Sequence, residues 1–220
     1  MEPDVDTSEG LKSFGFDFPS VVPPTSGLSV TPKSRQMIYL PEFRAEVSAG
    51  KFIEEQASGQ SDRDIPSDMV NGQPPVDGRI ASAGNPFASK LDGIQDESGN
   101  PWKAMAVQSG QAIPFSLTFD RQVKIRRVRV FITKADWDSG QSLSRRSFDL
   151  FNPLYSRTCS AAPYWEANGE VPEGLIAPSP FEFSLNLPVR SVGRHTLLLE
   201  IDYPDNGDAL YQVFDLQYTT

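Results

Sequence analysis

His195 is the single imidazole and Cys159 the single thiol of the 220-residue chain. One imidazole cannot furnish a site that needs two within one chain, which removes many hydrolytic metal centres; one thiol can form neither an internal disulfide nor a CxxC metal or redox motif. A serine-hydrolase triad also needs a histidine, but no GxSxG elbow accompanies His195, so the residue types give catalysis no core. His195 is expected to be structural, hydrogen-bonded near a strand start. Cys159 is expected to be a small buried hydrophobe, with a reactive thiol as the alternative. Asp202, Asp205 and Asp208 fall in and beside a PDNGD turn, where Asp and Asn bond their own backbone, so turn chemistry is expected there before cation binding. Arg121, Lys124, Arg126, Arg127 and Arg129 form a basic run that reads as a solvated outer face pairing with neighbouring acids; an acidic glycan or membrane surface is the alternative partner. Trp102 and Trp137 read as apolar surface for packing rather than as a ligand platform.

The elements that must position these residues are strands. Ile113, Phe115, Leu117 and Phe119 alternate with Pro114, Ser116, Thr118 and Asp120, the period-2 pattern of a strand with one face on a core. In VKIRRVRVFI the alternation slips at the Arg126–Arg127 step, where a β-bulge would restore a single buried face. Phe181, Phe183, Leu185 and Leu187 alternate again, HTLLLEID reads as a strand buried on both faces, and ALYQVFDLQY supplies a C-terminal strand. Helix signals are few, the clearest being one or two turns in SRRSFDLF after Ser144, a plausible N-cap. An all-β sandwich follows, its turns supplied by 19 prolines and 16 glycines and its core by residues such as the 14 phenylalanines.

Length and charge set the outer bounds. The chain can bury one sizeable core, and one domain is expected. With 29 acidic residues against 20 basic, the net charge is −9, so a polyanion partner would need a local basic patch and nucleic acid is disfavoured. Residues 1–25 form an acidic arm; its alternating Phe14, Phe16 and Phe18 leave open a solvated tail or an extra edge strand. Residues 58–73 are polar and rich in breakers, as in a surface loop. No apolar stretch reaches the length of a membrane span and the N-terminus has no signal-peptide pattern. The expected location is cytoplasmic at synthesis, with release by lysis or non-classical export.

Four ordered blocks resemble a known family. ITKADWDSGQSLSRRSFDL (132–150) is similar to the pattern ITKxxWdxxqpLtrxsFdL of the chitin-binding type 4 proteins, the bacterial lytic polysaccharide monooxygenases of auxiliary activity family 10. GRHTLLLEIDYPDNGDALYQVFDL (193–216) resembles their GxHvilavWdxaDtxnAFYqxiDv, keeping His195, Asp202, Asp205, Ala209, Tyr211 and Asp215. DGRIASA (77–83), Leu91–Asp92 and Trp102 match a middle block, and SGLSVTPKSR (26–35) is similar to HGxvxxPxSR, the opening of the mature family domain. The resemblance implies a fibronectin/immunoglobulin-like β-sandwich with long loops and short helical turns over residues 26–220.

It also implies a copper brace, in which the free N-terminal amine and imidazole of the first mature residue and a second imidazole hold the ion. Here Ser26 stands at the first position, inside the chain, and the second histidine falls among Arg121, Gln122 and Val123. Leu210 replaces the axial aromatic of AFYQ. The expectation is a copper site lost, no cofactor and no enzyme. One half of a family disulfide remains as Cys159, with Ser184 near its partner's place. In the loop that carries the family's chitin-binding tyrosine and glutamate, Ile53 stands for the tyrosine and Glu54 is kept. Tyr164 and Trp165, in a proline-rich insertion, either form a new platform for a sugar or cover the sandwich edge. The expected function is non-catalytic binding of a polysaccharide or glycan surface, chitin among the candidates. The alternative is an interaction or toxin-type component, for example insecticidal, that binds a protein or host surface.

Overall fold

The computed structural model of the chain describes residues 27–43, 48–50, 74–125, 127–158, 177–203 and 208–220. Residues 1–25, Ser26, Ile53, Glu54, the 58–73 loop, Cys159, Tyr164, Trp165 and Asp205 lie outside them. Strands dominate the described residues, as the alternating patterns predict: β1 (Leu28–Thr31), β2 (Ser48–Gly50), β3 (Met105–Val107), β4 (Ala112–Phe119), β5 (Arg127–Ile132), β6 (Tyr155–Thr158), β7 (Phe181–Asn186), β8 (Gly193–Asp202) and β9 (Asp208–Tyr218). A short helix, α1 (Arg35–Tyr39), starts at Ser34, whose hydroxyl accepts from Met37 N at 3.2 Å. The turn expected after Ser144 is a single 3-10 turn, Arg145–Ser147, with Ser144 N donating to the Ser147 hydroxyl at 3.0 Å.

Two sheets form the sandwich. The smaller has the order β1-β4-β7 and is antiparallel throughout. In β4 the inward residues Ile113, Phe115, Leu117 and Phe119 are all buried while Ala112, Pro114 and Thr118 are exposed. Pro114 is tolerated because β1 pairs no further along β4 than Ser116, leaving it a strand neighbour on one side only. The larger sheet has the order β2-β9-β8-β5-β6, with β3 adding in parallel to the end of β9.

Apolar residues of both sheets meet in one cluster that includes Leu117, Val130, Leu199, Leu210 and Phe214. A second cluster covers the opposite face of the larger sheet, where Leu40, Ile80, Leu91, Leu143 and Phe148 pack on Phe131, Leu198, Tyr211 and Val213. Burial on both faces explains the unbroken Leu197-Leu198-Leu199 run of β8. The buried residues change parity across position 126: Val123 and Ile125 point into the first cluster before it, and Val128, Val130 and Ile132 after it. That is the slip the sequence shows; Arg126 itself lies outside the described residues.

Two expectations need correction. The basic run is not a solvated face along β5: Arg129 is 2% exposed and pairs with the fully buried Glu200, its Nη2 2.6 Å from Oε2. Arg127 Nε donates to Asp202 Oδ2 at 2.8 Å. The second apolar cluster covers this face, so the guanidinium groups find carboxylates across the β5–β8 register instead of water. For the same reason Asp202 is not a turn residue; it is the last residue of β8 and an ion-pair partner.

Candidate functional site

Of the positions that the resemblance assigns to the copper end, Arg121 and Gln122 lie just past the end of β4, which pairs with the start of β1. Leu28 lies opposite Phe119, and one residue further out Asp120 N donates to Gly27 O at 3.0 Å. Gly27 has φ +81°, and a Cβ there would stand 1.8 Å from the Asp120 carboxylate, so this approach of the two strands needs glycine. Arg121 and Gln122 follow directly and are exposed. Arg121 comes close enough to the buried Tyr203, just past β8, for its charge to act on the phenol: burial pushes Tyr203 far up, and the cation pulls partly against that shift. Leu210 is 1% exposed in the core between the sheets, opposite Ile201 of β8 and Ser48 of β2.

The structure therefore brings Arg121 and Gln122 to the start of β1, beside Gly27, and seals Leu210 inside. A guanidinium, an amide and an aliphatic side chain are a poor donor set for a copper ion; the guanidinium repels a cation and the leucine offers no lone pair. Among the described residues no three His, Cys, Asp or Glu side chains come together to hold a metal. The described residues at this end do not fit the ion.

His195 sits near the opposite end of β8, eight residues before Tyr203, or about 26 Å along an extended strand. Its Nδ1 lies 2.9 Å from the Thr133 hydroxyl, which also accepts from Thr196 N at 3.2 Å. Its ring meets Tyr218 edge-on, with centroids 5.3 Å apart. Burial first, and the neighbouring Arg190 cation second, hold the imidazole below its usual range. This is the structural histidine that the sequence leads one to expect, joining β8 to the turn after β5.

Trp102 is buried, with Nε1 donating to Gly93 O at 2.7 Å and Tyr39 edge-on at 4.8 Å. Arg35 lies over the same ring at 4.5 Å and grips Asp215 of β9 through two bonds, Nε–Oδ2 at 2.8 Å and Nη2–Oδ1 at 2.5 Å. Sequence reasoning missed this pair. Both residues lie inside the family-like blocks, but 180 positions separate them and no local pattern joins them. Trp137 is only partly buried and packs at the margin of the second cluster, so the packing expected of it holds in part.

Comparison with known proteins extends these observations. A family model described as "Lytic polysaccharide mono-oxygenase, cellulose-degrading" matches residues 27–216. A crystal structure of a chitin binding domain from Burkholderia pseudomallei is 33% identical, covering 88% of this chain and 100% of that one, with a TM-score of 0.71. An AA10 lytic polysaccharide monooxygenase from Streptomyces lividans shares the fold at 22% identity, covering 87% and 99% of the two chains, with a TM-score of 0.63. GlcNAc-binding protein A of Vibrio campbellii is 32% identical over 146 residues, 66% of this chain; the match spans 26% of that relative's length.

Proposed function

Starting from a chain that belongs to the lytic polysaccharide mono-oxygenase family, we propose that it is a non-catalytic carbohydrate-binding protein whose ligand is an insoluble polysaccharide of the chitin class. The carbohydrate half draws on the relatives that are named for binding chitin or GlcNAc. The non-catalytic half is carried by one observation: the described positions at the copper end present Arg121, Gln122 and a sealed Leu210, while the sole imidazole lies about 26 Å away along β8. A redox copper needs nitrogen donors and an open coordination position, and a cationic guanidinium beside the site disfavours both the ion and its loading.

The test has two arms. The full chain is incubated with chitin, cellulose and peptidoglycan particles, and retention on chitin is expected; no retention on any of the three overturns the carbohydrate reading. Calorimetry with Cu(II) is expected to show no tight stoichiometric binding. Tight one-to-one binding together with oxidised sugar products would overturn the non-catalytic reading and leave the carbohydrate one standing.

A further inference from the structure

β8 runs along one edge of β9, and the opposite edge is shared: β2 takes residues 208–210 and β3 takes 216–218. Between them α1 stands in for a strand, with Val213 N donating to Gln36 Oε1 at 3.0 Å. Neighbouring strands lie about 4.8 Å apart, whereas a helix with its side chains is about 10 Å across, so the hand-over from α1 to β3 leaves a gap. A cleft of about 170 Å³ opens there, lined by Ile38 of α1, Met105 of β3 and Phe214 of β9 together with Pro32 and Ala104.

The walls are tied together before any ligand arrives. Arg35 grips both carboxylate oxygens of Asp215 and passes Nη1 to Leu91 O at 2.8 Å, and Lys103 N donates to the Tyr39 hydroxyl at 2.9 Å. Asp215, the one acid in the lining, is thus neutralised by a buried partner. What remains charged is Lys33 and Lys103, both exposed and both lining the cleft. Neither ammonium forms an ion pair or a hydrogen bond among the described residues, in a chain whose net charge is −9. A lysine ammonium is a compact charge on a flexible four-carbon stem, so each can swing over the mouth without needing a fixed orientation.

We propose that this cleft binds a compact aromatic acid, a single ring bearing a carboxylate on a short tail. An apolar cavity of about 150 Å³ takes up one benzene ring, and the volume here is close to that. Ile38, Met105 and Phe214 offer a ring no hydrogen bonds, so an aryl ring gains by leaving water there, whereas the hydroxyls of a sugar ring would be stripped of water without replacement. The carboxylate stays at the mouth between two cations, with no acid in the lining left to compete for them. The site lies past the end of β1 opposite Gly27 and does not rest on the polysaccharide reading.

The full chain, labelled with ¹³C in its methionine methyl groups, is titrated with 3-phenylpropanoate while the Met105 resonance, assigned by its loss in Met105→Leu, is followed by NMR. The neutral 3-phenylpropanol, the cationic 3-phenylpropylamine and the ringless propanoate serve as separate arms. Saturable binding in the millimolar range is expected for 3-phenylpropanoate, with weaker binding of the alcohol and none of the amine or propanoate. The double variant Lys33→Gln/Lys103→Gln, which alters two exposed positions only, is expected to weaken the acid about fivefold and leave the alcohol unchanged. No saturable shift with 3-phenylpropanoate, binding of the amine or of propanoate as tight as the acid, or indifference of the acid to the double substitution would overturn the proposal. Retention on chitin has no bearing on that outcome.

Discussion

The two faces of the larger sheet solve burial in opposite ways. Toward the smaller sheet, β5 and β8 present Val128, Val130, Ile132, Leu197, Leu199 and Ile201, an apolar surface with His195 only at its rim. On the other side the same two strands carry Arg127, Arg129, Glu200 and Asp202, all but shut off from water on the face that the second apolar cluster covers. The first face is held by area removed from water, a non-directional force. The second is held by matched charges, which demand one register: Arg129 faces Glu200 and Arg127 faces Asp202. Ionic pairs inside a protein are a weak source of net stability, although removing one partner is costly.

The sharpest way to break this comparison is to remove one ion. Glu200→Ala should destabilise the chain by about 3–5 kcal/mol in chemical denaturation, because it strands a buried guanidinium. The companion double variant Arg129→Met/Glu200→Leu should recover most of that loss; if it stays as unstable as the single variant, the charges stabilise the fold outright and the contrast between faces disappears. On the inner face, Leu199→Ala should cost about 3 kcal/mol through lost burial and the cavity it leaves. The smallest effect lies at the rim. Because the His195 imidazole is held low in the folded state, the unfolded chain takes up its proton more readily. Stability is then full above about pH 6.5 and falls as the pH drops below it. Denaturation at stepped pH should show a shallower slope in that window for His195→Gln.

What was legible in the sequence follows from how local each signal is. The strands of β4, β8 and β9 could be read because alternation or continuous apolarity is written in consecutive residues. The structural place of His195 was legible too, since it opens the strand that buries it. The fate of Arg127 and Arg129 was not, because whether a strand's second face meets water depends on loops some fifty residues away, such as the one bearing Ile80 and Ala81. Nor was the clasp of Arg35 on Asp215, which joins residues 180 positions apart. At the copper end, the residue types at 121, 122 and 210 could be read directly, whereas the depth of Leu210 in the inter-sheet core needed the fold.

β9 is the last strand in chain order, and β2, β3 and β8 all pair with it. Asp215, Gln212 and Val213 on the same strand also take Arg35, Ser34 and Gln36 at the start of α1. Translation therefore delivers residues 1–207 before the strand on which β2 and β3 depend exists. β2 and β3 must wait for residues 208–218 to emerge, whereas β1, β4 and β7, and β5 with β6 and β8, can pair as soon as they are made.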